Sequence, residues 1–519
     1  MRRTTLIIFL LIWQGCLYAQ EDFFSRLPIV IINTDIDAVT GQPVPIVDEP
    51  KVGASMKIIY VNDETGNWVA DSTNTDRLQY DGRIAIEIRG TTSQLTEKKS
   101  YGFETRLADG VSNNNVSLLG MPKEHDWILN GFYYEDSYLR DPLTYTLGRR
   151  TGHYAPRTHY CELFLNGTYQ GLYLFSEKIK RDKNRVNIKK MDDDDNAEPA
   201  VTGGYIFKAD RVMSNDSLAW VTISNDDSYS VSYVYHTPKP ADITPEQCTY
   251  LHDYFFAFMD AVDVDDTSEV SGYPSYIDVP SFIDYMIVSE LGSNVDAYQH
   301  STFFHKDRQQ KLCAGPLWDF NFAYGNDHTG RSGYDVWQFD NGTNTGSPFW
   351  KQLFESPYFH RRLVARWYEL TIDGPLAYDT VMALIDSLEA AHYDAVPRDK
   401  ARWQSIIVDY DYHMWILRQW ISDRYEWINK QFFVDVEEHH VEPQLSPNPT
   451  RGVLNLVGIA KDTNVELVEI YDLQGALVKS CPVNENTSAI DISSLPANIY
   501  MARFVIGGKS VFQKIVKIP

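Results

Sequence analysis

The chain has 519 residues, of which 43% are hydrophobic and 23% charged, and its formal net charge is −24. This length exceeds what one hydrophobic core usually covers, so we expect two or three domains. The negative charge argues against nucleic-acid binding over the general surface and is compatible with divalent cations.

The first twenty residues are typical of an export signal. Arg2 and Arg3 form a basic start, the apolar run LIIFLLIW follows at 6–13, and LYA before Gln20 fits a small-residue cleavage site. We therefore assign 1–20 to a signal peptide. The run is too short for a transmembrane helix, and no later run reaches the ~18 apolar residues that such a helix needs.

The next part of the chain predicts β structure. Alternating apolar and polar side chains mark strands within 27–110, in LPIVIINT, SMKIIYV, GRIAIEIRG and KKSYGFETR. The segment 159–179 predicts a hairpin around the turn pair Asn166-Gly167. A further strand is expected in GGYIFKADR, at 203–211.

Helical patterns dominate after this strand. Thr244 is a predicted N-cap, with Pro245 at the first helical position and Gln247 placed to complete a capping box. PSFIDYMIVSELG predicts a buried helix that ends at Gly292. Three further helices are expected in the ranges 350–371, 377–395 and 403–431. The main domain, 21–436, is therefore predicted to be α+β, with a β-rich front and an α-rich back that could form two lobes.

A polar, proline-bearing stretch at 437–445 predicts a linker. Short alternating strands in 446–519 and the turn pairs Gln474-Gly475 and Gly507-Gly508 then indicate a small β-sandwich.

Two of the polar segments have ordinary structural explanations. Arg89 ends one strand, and Lys98 and Lys99 begin the next; alternation lets only one lysine face inward, and spacing alone favours an exposed basic edge strand. Asn294 and Asp296 follow the end of a helix, where such residues are often turn formers.

A third segment, LCAGPLWDFNFAYGN, places Asp319 after Trp318 in an apolar run, with Asn321 two residues later. A buried, unpaired carboxylate costs several kcal/mol, so we expect Asp319 to meet an arginine or a metal ion. One hairpin could bring Asp296 and Asp319 to a single cleft. Together the three segments supply a lysine, a carboxylate and oxygen ligands for Mg²⁺, which are the groups that phosphoryl transfer needs.

These segments resemble the CotH kinase family. The matching stretches run in family order from about 27 to 430. They are IEIRGTTSQ, KKSYGFET, LLGMPKEHDWILNGFYYEDSYLRDPLTY, ELFLNGTYQGLYLFSEKIKRDKNRVNI, GGYIFKADR, NVDAYQHSTFFHKD and GPLWDFNFAYGN. The resemblance implies an atypical protein kinase that uses ATP with Mg²⁺ or Mn²⁺ and phosphorylates Ser or Thr hydroxyls of a protein acceptor.

The resemblance also implies residue roles. Asp296 resembles the catalytic aspartate, Asp319 resembles the metal-binding aspartate, and Lys98 or Lys99 resembles the phosphate-contacting lysine. Three further residues are candidates for nucleotide or metal contacts: Arg89, Glu177 and Asn294. For Glu177, an ordinary surface glutamate at the end of a strand is an equally good explanation.

Two positions depart from the family pattern. Ser301 and Asn321 stand at metal-ligand positions where many members have Asn and Asp. These departures leave open weaker metal binding, a changed metal preference, or a non-catalytic pseudokinase that serves as a surface binding or adhesion protein. A carbohydrate-associated protein is a third alternative, from the 33 Tyr and 12 Trp, although no catalytic carboxylate pair supports a glycosidase.

The C-terminal part resembles the type IX secretion sorting domain. The resemblance rests on LSPNPTRGVLNL, VEIYDLQGALV, ISSLPANIYMARF and KIVK. It implies the type IX secretion machinery as a partner, removal of the tail, and a location outside the cell or on its outer surface.

Overall fold

The structure is a computed structural model. It describes residues 23–60, 70–71, 77–90, 92–213, 216–223, 229–327, 329–342, 346–403, 409–433, 444–457, 465–473, 475–484, 487–506 and 509–519. The predicted signal peptide, most of the predicted linker, and Gln474, Gly507 and Gly508 lie outside the described residues.

The front of the chain folds into a β-barrel. Its strands and their neighbours are β1 (Phe24–Ser25), β2 (Ile29–Thr34), β3 (Val52–Ile59), β4 (Ala70–Asp71), β5 (Leu78–Arg89), β6 (Ser100–Arg106), β7 (Asp126–Asn130), β8 (Thr158–Leu165) and β9 (Thr168–Glu177). Seven of them close in the order β2-β3-β5-β6-β7-β9-β8. The predicted hairpin is β8–β9, and the parallel pairing of β2 with β8 completes the barrel.

A second sheet combines three strands that follow the barrel in the chain with a hairpin that comes later. Its strands are β10 (Tyr205–Ala209), β11 (Leu218–Ile223), β12 (Ser230–Thr237), β13 (Thr302–Lys306) and β14 (Leu312–Ala314). They are ordered β11-β12-β10-β13-β14, so the hairpin β13–β14 lies beside β10. This hairpin separates Asp296 from Asp319 along the chain.

Most helices come after this sheet begins. They are α1 (Arg140–Arg150), α2 (Pro245–Asp263), α3 (Tyr273–Tyr276), α4 (Val279–Gly292), α5 (Phe349–Glu355), α6 (Pro357–Thr371), α7 (Tyr378–His392), α8 (Val396–Arg402) and α9 (Tyr410–Phe433). None of the helices in the described ranges is long and apolar enough to cross a membrane.

Local signals account for the helix boundaries. The predicted capping box is present at α2, where the backbone N–H of Gln247 donates to Thr244 Oγ1 at 3.3 Å. The helical periodicity predicted over 350–371 corresponds to two helices, because Ser356 before Pro357 is extended and separates α5 from α6. In α9, buried side chains at helical spacing form the inner face. They are Met414, Leu417, Ile421 and Ile428.

The C-terminal part is all-β. Its strands are β15 (Gln444–Ser446), β16 (Val453–Val457), β17 (Val465–Tyr471), β18 (Leu477–Pro482), β19 (Ala489–Asp491), β20 (Asn498–Ile506) and β21 (Lys509–Lys517). They form a three-stranded sheet, β15-β16-β19, and a four-stranded sheet, β18-β17-β20-β21. Residues of both sheets share one hydrophobic cluster. The prediction of an α+β fold is confirmed.

Candidate active site

A polar cavity of about 520 Å³ opens between the barrel and the second sheet. The barrel contributes residues at the ends of β5, β7 and β9, and the opposite wall comes from β10 and from the loops that follow α4 and β14. Cavities of roughly 300–1,000 Å³ are typical of small-molecule sites. This cavity brings together residues that are far apart in the sequence.

Asp296 and Asp319 both line this cavity, together with Asp141 from the first turn of α1. Burial raises the pKa of Asp319. Burial, followed by the charge of Asp319, raises the pKa of Asp296 to about 7 and that of Asp141 to about 7. Carboxylates that raise one another's pKa values are poised to bind a cation or to exchange a proton near neutral pH.

The backbone at Asp319 is held in an unusual conformation. Its φ is +62°, in the left-handed region that non-glycine residues rarely adopt. The N–H of Asp319 donates to Tyr145 Oη at 3.1 Å, and the next N–H, that of Phe320, donates to Asp141 Oδ1 at 2.8 Å. Asp141 Oδ2 accepts from Asn130 Nδ2 at 3.1 Å. Helix α1 therefore fixes the turn that directs Asp319 into the cavity.

The sequence argument missed Asp141 and Tyr145. Both occur in YLRDPLTY, and their i, i+4 spacing places them on one helix face. This spacing is visible in the sequence, and it predicts that both polar side chains contact the same neighbouring segment.

Among the described residues, three cationic side chains line the cavity, those of Arg89, Lys208 and Arg211, and none of them is the lysine expected from the sequence. Arg89 lies over the ring of Trp318, with its guanidinium carbon 5.5 Å from the ring centroid. Burial lowers the pKa of Arg89, whereas the charge of Asp319 opposes this effect. Lys208, in β10, donates to Asp210 Oδ2 at 2.5 Å.

Lys98 and Lys99 point elsewhere. Lys98 Nζ donates to Asp399 Oδ1 at 2.7 Å and to the carbonyl of Leu172 at 2.8 Å, and the side chains of Lys98 and Asp399 are each 1% exposed. Lys99 Nζ donates to the carbonyl of Gln94 at 2.7 Å. As alternation predicts, one of the two lysines faces inward, but this lysine, Lys98, faces α8 and not the cavity. Neither lysine is among the described residues that line the cavity.

Glu177 is also held away from the cavity. Its carboxylate accepts from Arg157 Nη1 at 2.9 Å and from Tyr154 Oη at 3.2 Å, and the side chain is fully buried. Since it is surrounded by these protein donors, Glu177 has a structural role at the end of β9.

Asn294 joins the two aspartate loops behind the cavity. Its Nδ2 donates to the carbonyl of Asp319 at 3.5 Å, and its Oδ1 accepts from the N–H of Asp296 at 3.2 Å. Asn294 is 2% exposed and is not among the lining residues. It therefore sets the relative position of the two loops.

Ser301 and Asn321 do line the cavity. The hydroxyl of Ser301 hydrogen-bonds the carboxylate of Asp319. Asn321 Oδ1 is buried and has no hydrogen-bond partner among the residues that the structure describes. A buried acceptor of this kind is normally satisfied by water, a ligand or an ion.

The donor set of the cavity suits a hard divalent cation. Aspartate, serine and asparagine oxygens are the ligands that Mg²⁺ prefers, and Mg²⁺ usually completes its shell with water and substrate phosphates. Within the described ranges, one group of three acidic or histidine ligand atoms lies within 4.8 Å of one another, at Glu124, His125 and Asp126. Lys180 already neutralises that group, at 2.9 Å from Glu124 and 2.5 Å from Asp126.

Comparisons with known proteins agree with both resemblances. A family model described as "CotH kinase protein" matches residues 86–428, and one described as "Secretion system C-terminal sorting domain" matches 444–518. The inner spore coat protein H of Bacillus subtilis (strain 168) is 23% identical over 244 residues, which cover 47% of this chain and 59% of that protein. The chain thus matches about three fifths of the length of this relative. The sorting domain indicates type IX secretion to the cell surface or exterior.

Proposed function

The chain belongs to the CotH kinase protein family, and on this basis we propose that it is an exported protein kinase. It would transfer the γ-phosphoryl group of ATP to Ser or Thr hydroxyls with Mg²⁺ or Mn²⁺. The barrel and the helical part would form two kinase-like lobes around the cavity, and the C-terminal sheets a sorting β-sandwich. The observation that carries the proposal is the meeting of Asp296, Asp319 and Arg89 in one cavity.

Asp296 would act on the acceptor hydroxyl. The hydroxyl oxygen attacks the γ-phosphorus, the bond from that phosphorus to the β–γ bridging oxygen breaks, and ADP leaves. The hydroxyl proton passes to the carboxylate of Asp296. A pKa of about 7 suits this role, since a base is most effective when its pKa lies near the working pH.

Asp319 would hold the metal ion, with Asn321 and Ser301 as neighbouring oxygen donors. When bound, the ion supplies positive charge that offsets the charge of the transferred phosphoryl group. Arg89 and Lys208 would hold the phosphates from the side of the barrel and of β10. Arg89 suits this task because its stacking on Trp318 orients the guanidinium.

The test is transfer of labelled phosphate from ATP to a generic protein acceptor, with Mg²⁺ or Mn²⁺. Asp296→Asn and Asp319→Asn should each reduce transfer by about 100-fold or more. Asp253→Asn, an exposed change on α2, is the matched control.

Absence of transfer by the folded wild-type protein in both metals would favour the alternative, a non-catalytic surface binding protein. The observation that favours this alternative is the departure from the family pattern at Ser301 and Asn321. Stabilisation of the protein by nucleotide would then show that the cavity still binds ATP.

A further inference from the structure

The charges of two arginines, Arg211 and Arg331, act on Asp296. Arg211 follows β10, is exposed, and lines the cavity. Arg331 lies in a segment fastened to the loop that carries Asp296: Ser332 Oγ donates to the carbonyl of Ser293 at 2.9 Å, and Ser293 Oγ donates to the carbonyl of Gly333 at 2.9 Å. Both arginines are therefore placed beside Asp296 by independent elements.

Among the described residues, neither arginine side chain forms an ion pair, although Asp210 accepts the backbone N–H of Arg211 and Asp327 accepts that of Arg331. Within the described ranges, no carboxylate oxygen lies within 4.0 Å of either guanidinium, and the polar contact of the Arg331 side chain is Nε to Thr329 Oγ1 at 3.2 Å. Their charges act on Asp296 and on His300, which supports their proximity to the cavity.

His300 adds a polar group without a full set of hydrogen bonds to the part of the cavity near Asp296. It lines the cavity, and its Nδ1 is buried without a hydrogen-bond partner among the described residues. A buried imidazole nitrogen without a partner can take one further hydrogen bond, which fits a peptide or carboxylate group.

We infer that Arg211, Arg331 and His300 form an acceptor subsite that selects an anionic side chain close to the phosphorylated hydroxyl. The preferred acceptor is then a peptide with Asp, Glu or phosphoserine next to the Ser or Thr. Guanidinium groups bind carboxylate and phosphate in two-point contacts. Because the protein as a whole repels anions, such recognition needs dedicated cations at the cleft. This inference rests on the proposed kinase function.

Peptide binding tests the inference without requiring phosphoryl transfer. The probes are three fluorescent Ser peptides that differ only in their flanking residues: Asp, Asn or Lys. The full-length protein should bind the Asp peptide at least tenfold more tightly than the Asn peptide, with the Lys peptide weakest. The double variant Arg211→Ala, Arg331→Ala should lose this preference, whereas Arg26→Ala, an exposed change remote from the cavity, should keep it.

Conservative variants and nucleotide binding complete the test. Arg211→Lys and Arg331→Lys keep the charge but lose the two-point contact, so they should retain part of the preference for the Asp peptide, which the alanine variants lose. Equal affinity of the wild type for the Asp and Asn peptides overturns the inference. So does a double variant that loses ATP affinity while its peptide preference stays intact, since the arginines would then serve the nucleotide. A failure of the proposed function has a different signature: the Asp peptide binds selectively but receives no phosphate.

Discussion

Asp141 Oδ1 accepts a hydrogen bond from the backbone N–H of Phe320 at 2.8 Å, which ties the first turn of α1 to the residue that follows Asp319. Backbone strain of the kind seen at Asp319 persists only where the surroundings fix it, and it is common at functional sites. The geometry of the candidate metal ligand therefore depends on a carboxylate that lies almost 180 residues earlier in the sequence.

Replacing Asp141 by alanine should destabilise the protein. The substitution leaves the buried N–H of Phe320 without an acceptor, and we expect the free energy of unfolding to fall by about 1–3 kcal/mol. Asp141→Asn keeps an acceptor oxygen and should retain most of the stability. Urea unfolding of both variants, beside the exposed control Asp253→Ala, measures the difference. If the alanine and asparagine variants lose the same free energy of unfolding, the negative charge of Asp141, and not its hydrogen bond with the N–H of Phe320, stabilises this turn.

The pH dependence of stability should reveal the burial of Asp296. Its pKa is raised from 3.8 to about 7 on folding, so the folded state binds more protons than the unfolded state between these values. Stability contributed by this group therefore falls as pH rises from about 4 to 7. Asp296→Asn removes that loss, and each pKa unit is worth about 1.4 kcal/mol before solvent screening. We expect the variant to be more stable than wild type by about 1–3 kcal/mol at pH 8.

At pH 4 the same substitution should change the free energy of unfolding little, because the carboxyl is protonated in the folded state and still about half protonated in the unfolded state. Thermal or urea unfolding at the two pH values is the measurement. Asp253→Asn, at an exposed position, is the matched control. If the free energies of unfolding of Asp296→Asn and wild type differ by the same amount at both pH values, the raised pKa of Asp296 is contradicted.

Local features could be predicted from the sequence, and long-range ones could not. The hairpin at Asn166-Gly167 and the capping box at Thr244 depend on neighbouring residues, so their signals are complete within a few positions. Closure of the barrel depends on the parallel pairing of β2 with β8, for which no short pattern exists. The same limit applies to the site: alternation indicates that only one of the two lysines can face inward, but not that this is Lys98 or that its partner lies 301 residues away.

The ion pair between Lys98 and Asp399 should be structural. Both side chains are 1% exposed, and Asp399 also accepts from Tyr138 Oη at 2.8 Å. Removing one member of a buried pair typically costs about 3–5 kcal/mol, so Lys98→Met should lower stability by about that amount. Lys430→Met, which removes an exposed pair with Glu426, should cost less than about 1 kcal/mol. Denaturant unfolding compares the two variants.

If Lys98 has only this structural role, the folded fraction of Lys98→Met should bind nucleotide with wild-type affinity. Adding Asp399→Leu should recover part of the lost stability, since the uncompensated charge is then removed. Loss of nucleotide affinity at unchanged stability is the result that would return Lys98 to the phosphate site.

Arg89, rather than Lys99, should determine affinity for nucleotide. Arg89 faces Asp319 across the cavity, whereas the Lys99 ammonium is bound to the carbonyl of Gln94 at 2.7 Å. Arg89→Met should weaken ATP binding by roughly tenfold or more, as expected for loss of a charge-assisted contact of 1.5–3 kcal/mol. Lys99→Met serves as the matched control and should leave it unchanged. Calorimetric titration with ATP and Mg²⁺ measures both, and equal effects of the two substitutions would argue against phosphate binding by Arg89.

Restoring a carboxylate at position 321 should strengthen metal binding. Asn321 Oδ1 is a buried acceptor without a partner among the described residues, and it lines the cavity with Asp319. Asn321→Asp places a second negative charge beside Asp319, so the affinity for Mn²⁺ and Mg²⁺ should rise, by roughly tenfold for about 1.4 kcal/mol of added attraction. In the absence of metal the same charge should destabilise the protein, because two buried carboxylates repel each other. Calorimetry and unfolding with and without Mn²⁺ test both effects, with Asn187→Asp, an exposed change outside the cavity lining, as the control. Destabilisation that Mn²⁺ does not relieve would show that this corner of the cavity does not hold the ion.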